Sequence, residues 1–406
     1  MSIQVKWNNN LSGEVKVTQG VRQGAKLSTV LYKRYNNNIL EALERSDIGA
    51  KIGNIKVMAP TCADDIAVLA ENQHEVQALL DIVENCTKRD LVTINPNKSD
   101  LVPITKCQSN FSVYLGKDEI TQKSETKHLG LIRNSKNKLN AEDRLKLARK
   151  TLYALLGPEL HAMKGMSPIV AYKIWKTYVI PRALYGIEVM NFTESDILKL
   201  ERLQLKVCRQ IQGLPDRTAN IATYSLLGVE PVEVVVDRLI LTFLGNLLHN
   251  KETLEFKILE RQLRMAKRNG QSYIIKVIQR LEKYGLPEIE TLLENELNTL
   301  KWKKTVKKHI IHYWDDKWQE EKQQKSTLKL LHIQSHAIGN AHQIWKSVPN
   351  CHIEVKKAEV KARLLTGTYT LQVNKAKFSN NKETTKCKMC LNDTEDIEHF
   401  LLICDR

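Results

Sequence analysis

The sequence predicts an α+β fold in roughly the first third of the chain and a predominantly α-helical fold after it. Up to about residue 135, apolar residues alternate between a period of two, typical of strands, and the three-to-four spacing of helices. From about Asn140 onward nearly every segment has helical spacing. Cysteines and a histidine gathered in the last twenty residues add a third expectation, a small zinc-binding segment at the C-terminal end.

The composition is that of a folded, basic protein. The 406 residues are enough for two or three domains, and 42% hydrophobic with 27% charged residues excludes a disordered chain. Lys and Arg number 62 against 46 Asp and Glu, which leaves a net charge of +16. Such an excess is typical of proteins that bind nucleic acid, but lysine-rich solvated faces produce it too, so charge alone leaves both interpretations open.

The chain has no sign of secretion or membrane insertion. The first residues contain no apolar stretch of signal-peptide length, and the longest uncharged run, Leu239–Asn250, is too short to span a bilayer. The cysteines are not distributed as in a disulfide framework. We therefore expect an intracellular protein, cytoplasmic or nuclear, with no membrane partner.

Each element of the α+β part follows from a local pattern. Strands are expected at Val15 and Val17, which alternate with polar residues, and a helix from Leu27 to Leu43. A second helix is expected over Glu71–Cys86. The further runs predicted as strands are Ile52–Met58, Ile66–Leu69, Leu91–Ile94 and Leu101–Ile104.

The helical part is marked by capping signals. Ser167-Pro168 opens a helix that should run towards Tyr178 and end before Pro181, and Thr193–Asp196 resembles a capping box. Helices are also expected over Glu252–Ala266 and Gln271–Tyr284. A further stripe of apolar residues, spaced by three and four, should be buried along one helix: Trp302, Val306, Ile310, Tyr313, Trp314 and Trp318.

Asp64 and Asp65 are adjacent carboxylates on an expected turn between two short apolar runs. Carboxylate oxygens are the ligands that Mg²⁺ prefers, and two Mg²⁺ ions can clamp the attacking and leaving oxygens of a phosphoryl transfer. Asp is also a common turn residue, so an ordinary solvated turn is the alternative.

Four segments, taken in order, resemble the reverse-transcriptase palm of non-LTR (LINE-type) retroelements. They are Gly20-Val21-Arg22-Gln23-Gly24 with Leu27-Ser28, Ala63-Asp64-Asp65, Asn95–Ser99 and His128-Leu129-Gly130. The chain departs from the family pattern at Thr29, where the family has Pro, and at Cys62, where it has an aromatic residue. Agreement in order and spacing over four segments is more specific than any one of them.

The resemblance implies a role for each matching residue. Asp64 would bind catalytic Mg²⁺ with support from Asp65, and Lys98 would act as general acid or charge partner at the leaving pyrophosphate. For Lys98 an ordinary exposed lysine is the alternative. The nucleotide and template side would be formed by Arg22, Gln23 and Gly24, for which a helix-opening turn is the alternative, and the primer grip by Leu129 and Gly130.

One part of the family's catalytic site has no match. The family takes another metal-binding aspartate from a strand upstream of the Gly20–Gly24 segment, but no Asp precedes Asp47 here, and the fingers are missing as well. Two-metal catalysis needs carboxylates on both sides of the metals. We therefore expect an N-terminally truncated member of the family that does not polymerise DNA by itself.

The C-terminal cysteines and histidine follow a C-x2-C-x8-H-x4-C pattern, formed by Cys387, Cys390, His399 and Cys404. Three thiolates and one imidazole suit tetrahedral Zn²⁺ with no open position, which indicates a structural zinc knuckle. Unpaired cysteines in a reducing compartment are the alternative. The segment also resembles the zinc-binding segment at the C-terminal end of these retroelement proteins.

Two basic helices are candidates for contact with a nucleic-acid backbone. One follows the palm, where the family's thumb would track primer and template, and the other carries the lysines opposite the tryptophan stripe. The residues concerned are Arg144, Lys146, Arg149, Lys150, Lys303, Lys304, Lys307 and Lys308.

Together these patterns predict four regions: a partial palm over 1–135, a helical thumb-like region over 136–215, a helical C-terminal region over 216–384 and a zinc knuckle over 385–406. The expected partners are an RNA template with a DNA primer, or an RNA–DNA hybrid. The expected function is that of a reverse-transcriptase-like protein of a non-LTR retroelement. A non-catalytic, zinc-stabilised nucleic-acid-binding protein derived from such an element, or the product of a decayed element, remain alternatives.

Overall fold

The computed structural model divides the chain into two compact units, residues 1–139 and 140–406. The residues it describes are 2–18, 20–22, 24–105, 110–135, 141–156, 166–190, 192–266, 272–333, 338–349, 351–379 and 383–404. No helix among these residues has both the length and the apolar content needed to cross a bilayer.

The first unit contains two long helices and short strands. The helices are α1, Lys26–Arg45, and α2, Gln73–Arg89, followed by a 3₁₀ turn at Pro96–Lys98. The strands are β1 Ser2–Ile3, β2 Lys6–Trp7, β3 Asn10–Leu11, β4 Val15–Lys16, β5 Lys51–Ile52, β6 Ile55–Lys56, β7 Thr61–Cys62, β8 Asp65–Ile66, β9 Asp100–Leu101, β10 Tyr114–Leu115, β11 Asp118–Glu119, β12 Thr121–Gln122, β13 Glu125–His128 and β14 Leu131–Asn134. The predicted mixture of helix and strand is therefore confirmed.

The described strands pair only two by two. The antiparallel pairs are β1–β4, β2–β3, β5–β6, β7–β8, β10–β11 and β13–β14, and β9 pairs with β12 in parallel. The core lies where α1 packs against α2, with Ile39 and Leu43 meeting Leu79 and Val83 around the side chain of Met58. This packing places the β5–β8 region directly against the two helices.

Two of the predicted strands are wrong. Ile52–Met58 is not a single strand, because Gly53 has a φ of +64° and turns the chain between β5 and β6. Leu91–Ile94 forms no strand, because Leu91 has a φ of +55° and the amide of Val92 donates back to the last turn of α2. In the runs Ile66–Leu69 and Leu101–Ile104 only the first residue of each is in a strand.

The described part of the second unit is built from helices, apart from one isolated bridge between Lys386 and Thr394. The α-helices are α3 Ala141–Leu156, α4 Pro168–Ile174, α5 Ile180–Leu184, α6 Glu194–Ile211, α7 Asn220–Leu227, α8 Val232–His249, α9 Leu254–Met265, α10 Tyr273–Lys283, α11 Ile289–Glu294, α12 Thr299–Gln323, α13 Gln343–Lys346, α14 His352–Leu365 and α15 Gln372–Phe378. Single turns of π-helix occur at Trp175–Val179 and His399–Ile403, and a 3₁₀ turn at Ser326–Leu328.

Several helix signals are confirmed. Thr193 and Asp196 form the reciprocal capping box at the start of α6, with the Asp196 amide donating to Thr193 Oγ1 at 3.2 Å and the Thr193 amide to Asp196 Oδ2 at 3.1 Å. The helices expected over 252–266 and 271–284 are α9 and α10. On α12 the tryptophan stripe is buried as predicted, except that Tyr313 is half-buried.

The helix that begins after Ser167 does not end before Pro181, as predicted. It continues through the π-turn Trp175–Val179 into α5, and the amide of Ile180 donates to the carbonyl of Trp175, five residues back. Proline has no amide hydrogen and crowds the preceding turn, so a wider turn just before it allows the helix to continue.

Candidate functional site

Asp64 and Asp65 lie at the tip of the β7–β8 hairpin. Thr61 pairs with Ile66 and Cys62 with Asp65, so Asp65 begins β8 and Asp64 is in the turn. Both aspartate side chains are exposed to solvent. Two adjacent carboxylates at an exposed tip are accessible to divalent cations and to phosphate-bearing ligands with a bound cation.

Helix α1 makes a hydrogen bond to the turn of this hairpin. The side-chain amide of Asn36 donates to the carbonyl of Ala63 at 3.2 Å, and Ala63 has a φ of +56°. Burial and then the negative charge of Asp64 raise the pKa of Tyr32, one helical turn before Asn36. Sequence reasoning did not single out Tyr32 or Asn36, although their spacing of four on α1 places both on one helical face.

The glycine-flanked segment before α1 is an open turn. The amide of Ala25 donates to the carbonyl of Arg22 at 3.3 Å, and α1 begins at the next residue. Gly20 and Gly24 have φ values of +95° and +87°, and apart from their chain neighbours no atom of the described residues lies within 4 Å of where a Cβ would stand. The backbone conformation thus favours glycine there, and space remains beside it. Gln23 lies outside the described residues.

Lys98 closes the 3₁₀ turn and its side chain is exposed. Asn95 begins the turn, because its side-chain oxygen accepts from the amide of Asn97 at 3.0 Å and its carbonyl accepts from that of Lys98 at 3.1 Å. Within the described ranges, no hydrogen bond or ion pair joins Lys98 to Asp64 or Asp65. These hydrogen bonds account for the 3₁₀ turn at Pro96–Lys98. The role of Lys98 at the leaving pyrophosphate stays a prediction.

Leu129 and Gly130 form the two-residue turn of the β13–β14 hairpin. Their φ values are +49° and +77°, so both central residues are left-handed, as in a type I′ turn. The Leu129 side chain is 41% exposed. The role in holding a primer end stays a prediction.

The two basic helices differ in how they present their charges. On α12 the four predicted lysines are exposed, opposite the buried tryptophans. On α3, Lys146, Arg149 and Lys150 are exposed, but Arg144 is only 8% exposed and its guanidinium lies 5.3 Å from the ring centre of Tyr185. Burial lowers the pKa of Arg144. Arg144 therefore packs inside the second unit, unlike the other seven.

The C-terminal cysteines and histidine are brought together. One ligand atom from each of Cys387, Cys390, His399 and Cys404 lies within 4.8 Å of all the others. Two of the separations are 3.3 Å, between Cys390 Sγ and His399 Nε2, and 3.9 Å, between Cys387 Sγ and Cys404 Sγ. Such a group of three thiols and one imidazole could hold a metal ion.

The backbone around the cluster favours metal binding. Amide donation from Asp393 and Asn392 lowers the pKa of Cys390 to about 7, and metals bind the thiolate. The amide of Cys404 donates to the carbonyl of His399 at 2.8 Å, within the π-turn that links these two ligands. Buried His399 Nδ1 has no protein partner in the described residues, while Nε2 faces Cys390.

Asp64 and Asp65 are not part of a similar cluster. In the part of the chain that the structure describes, no third histidine, cysteine or acidic residue stands close enough to them to complete a three-ligand site. The 406 residues also contain no aspartate before Asp47. A full two-metal site is therefore not assembled from the described residues.

Comparison with known proteins agrees with the motif analysis. Residues 1–132 match the family model of reverse transcriptase (RNA-dependent DNA polymerase). The chain is also 25% identical over 217 residues to the retrovirus-related Pol polyprotein from type-1 retrotransposable element R2 of Nasonia vitripennis. It is 26% identical over 219 residues to the retrovirus-related Pol polyprotein from type-2 retrotransposable element R2DM of Drosophila melanogaster. Each alignment covers 50% of this chain and 20% of the relative.

Proposed function

We propose that this chain is a reverse-transcriptase-like protein of a non-LTR retroelement, comprising part of the polymerase palm, a helical thumb-like region and a terminal zinc knuckle. The observation that carries the proposal is the exposed Asp64-Asp65 pair on a hairpin tip, held against α1 inside the region that matches the reverse-transcriptase model. The similarity to Pol polyproteins of R2 elements supports the non-LTR assignment.

The ancestral chemistry is RNA-templated DNA synthesis by phosphoryl transfer, for which bound Mg²⁺ would supply charge neutralisation. Asp64, with Asp65 beside it, would hold the metal, and Lys98 would meet the leaving pyrophosphate. Arg22, Gln23 and Gly24 would face the template base and incoming nucleotide, and Leu129 and Gly130 the primer end. Because catalysis requires carboxylates on both sides of the metals, we expect these 406 residues alone to bind primer–template without extending it.

The Cys387–Cys404 cluster would hold a structural Zn²⁺ ion. Three thiolates and one imidazole fill a tetrahedral shell and leave no position for a reacting water. The separations between the ligand atoms, all within 4.8 Å, support this assignment. The ion would tie Cys387 and Cys390 to His399 and Cys404, which are contributed by two different parts of the segment.

Primer extension tests the catalytic part of the proposal. The purified 406-residue chain is incubated with an RNA template, a DNA primer, Mg²⁺ and deoxynucleotides, in parallel with Asp64→Asn. We expect a shift of the labelled hybrid in a binding assay and no extension product from either protein. Robust extension that is lost in Asp64→Asn would refute the inactivity of these residues and support Asp64 as a metal ligand.

A second candidate function is a non-catalytic, zinc-stabilised nucleic-acid-binding protein derived from a retroelement. It is favoured by the contrast between the assembled Cys/His cluster and the lone aspartate pair among the described residues. Hybrid binding that survives Asp64→Asn but is lost in Cys387→Ser would support it. Binding that instead depends on Mg²⁺ and on Asp64 would favour the polymerase-derived function.

A further inference from the structure

We infer that Glu395 is a positioning residue that couples metal binding at the Cys387–Cys404 cluster to the folding of helix α15. The inference rests on the zinc site of the proposed function and goes beyond it, because it assigns a role to a residue that is not a ligand. It predicts that the Glu395 side chain contributes to the connection between the zinc knuckle and the helical unit.

The Glu395 carboxylate accepts one hydrogen bond from each of two segments. Its Oε2 accepts from the amide of Lys388 at 3.3 Å, between the ligands Cys387 and Cys390. Its Oε1 accepts from the amide of Gln372, the first residue of α15, at 3.2 Å. One carboxylate group therefore bridges the metal-binding loop and the start of a helix.

The backbone of Glu395 makes the same connection. Its amide donates to the carbonyl of Thr385 at 2.9 Å, just before the first ligand, and its carbonyl accepts from the amide of Val373 in α15 at 3.4 Å. Glu395 is only 9% exposed, although glutamate is rarely buried. A buried carboxylate needs several donors, and the amides of Lys388 and Gln372 supply two.

The position of Lys388 explains how Glu395 would act on the metal. Its amide belongs to the two-residue link between Cys387 and Cys390, where the next amide, that of Met389, donates to Cys387 Sγ at 3.4 Å. A fixed Lys388 peptide therefore also fixes the relative position of the Cys387 and Cys390 sulfur atoms. Residues that orient ligands without touching the metal commonly change metal affinity by about 10- to 100-fold.

Contacts beyond Glu395 extend the link into the helical unit. The rings of Tyr369 and Phe400 lie 5.5 Å apart, and Phe400 belongs to the π-turn between the ligands His399 and Cys404. Arg217, which follows α6, donates to the carbonyl of Thr368 at 3.0 Å. Ordering the metal-binding segment should therefore also order residues 368–373, and the dependence must be reciprocal.

The test uses the full 406-residue chain with Glu395→Ala, the more conservative Glu395→Gln, and Glu383→Ala as a control that removes an exposed glutamate from the same segment. Zn²⁺ affinity is measured by competition with Co²⁺, whose thiolate complexes absorb strongly. Amide hydrogen exchange at Gln372 and Val373 is measured with and without Zn²⁺. Far-ultraviolet circular dichroism checks that each variant keeps its helices.

We expect Zn²⁺ to slow exchange at Gln372 and Val373 in the unsubstituted chain and in Glu383→Ala. Glu395→Ala should bind Zn²⁺ about 10- to 100-fold more weakly and show little effect of Zn²⁺ at these amides. The Zn²⁺ affinity and the Zn²⁺-dependent protection of Glu395→Gln should lie between those of the unsubstituted chain and those of Glu395→Ala, because one acceptor oxygen remains. If Glu395→Ala fails to fold, Glu395→Gln decides the outcome.

Unchanged Zn²⁺ affinity and unchanged Zn²⁺-dependent protection in both Glu395 variants would overturn the inference and leave the zinc site intact. Absence of a thiolate–Co²⁺ spectrum in the unsubstituted chain would instead refute the zinc site and the inference together. The two failures are therefore distinguishable in one series of measurements.

Discussion

Asp237 is a carboxylate in the interior of the second unit, with only 2% of its side chain exposed. It accepts hydrogen bonds from Arg280 Nε at 2.6 Å, Lys283 Nζ at 2.9 Å and the Tyr284 hydroxyl at 2.6 Å. Burial and then the charge of Asp237 raise the pKa of Tyr284, so the phenol remains a donor. One residue of α8 thereby binds three side chains. Arg280 and Lys283 belong to the last turns of α10, and Tyr284 directly follows that helix.

Replacing Asp237 with Ala should lower the free energy of unfolding by about 3–5 kcal/mol, because two cationic groups lose their buried partner. Urea denaturation followed by circular dichroism measures the change. Asp316→Ala is the matched control, since Asp316 is 65% exposed and lies 3.7 Å from His312. Equal, small effects of both substitutions would contradict a structural role for the Asp237 cluster.

Among the elements, α8 and α12 pack closely because a glycine of one helix faces a tryptophan of the other. A Cβ at Gly245 would lie 2.1 Å from Trp302 Cδ1. The indole of Trp302 is held there by donation from Nε1 to the carbonyl of Leu241 at 2.7 Å. Gly245 therefore permits the approach of the two helices, despite the conformational cost of glycine within a helix.

Gly245→Ala should lower the free energy of unfolding by about 1–3 kcal/mol through overpacking, although alanine is the better helix former. Thermal or urea unfolding measures the change. Asn246→Ala, on the exposed side of the same helix, should be close to neutral. If Gly245→Ala stabilises the protein, the Trp302 ring can move aside and the proposed constraint is wrong.

The lysine face of α12 should contact phosphates only, because the tryptophans of the helix point inward. Changing Lys303, Lys304, Lys307 and Lys308 together to Gln should weaken hybrid binding and reduce the slope of log affinity against log salt. The expected reduction is about 0.9 for each phosphate that the variant no longer neutralises, the value for B-form DNA. Fluorescence anisotropy over a series of salt concentrations measures both quantities.

The control for the lysine face removes the same charge elsewhere. It changes four exposed lysines on other parts of the second unit to Gln: Lys257, Lys325, Lys346 and Lys361. If this variant loses as much affinity and salt dependence as the α12 variant, net charge rather than the α12 face drives binding.

Sequence patterns predicted the long elements well and the short ones poorly. The capping box of α6 and the stripe of α12 each involve several residues at fixed spacing, so tertiary packing reinforces them. Strands of two residues carry almost no periodicity, and a single left-handed residue such as Gly53 or Leu91 decides whether they form. The helix through Pro181 was missed because a π-turn has no signal in a pattern of apolar residues.

At the scale of the whole molecule, the chain consists of two units with separate cores. Residues 140–406 contain their own buried helices and the Cys/His cluster. We expect a protein of residues 140–406 to fold alone, with a helical circular dichroism spectrum and a cooperative thermal transition that Zn²⁺ shifts upward. A noncooperative transition would show that the second unit needs the first.

The candidate sites were predicted to different degrees. The four members of the Cys/His cluster were predicted from their spacing, and the structure brings their ligand atoms together, whereas the identity of the metal stays a prediction. The position of Asp64 at a turn was also predicted. The hydrogen bond from Asn36 to Ala63 and the effect of the Asp64 charge on the pKa of Tyr32 were not, because contacts between separate segments leave no local pattern. Arg144 shows the same limitation, since its partner Tyr185 is distant in sequence.

The two hairpins that carry Asp64 and Leu129 each hold a non-glycine residue in the left-handed region, Ala63 at +56° and Leu129 at +49°. Such a conformation costs an L-residue about 1–2 kcal/mol relative to the right-handed one. Glycine at either position would relax the backbone. Selection for thermal stability alone should therefore favour Ala63→Gly and Leu129→Gly. If either side chain is needed for function, its retention at these two turns lowers the stability of the fold.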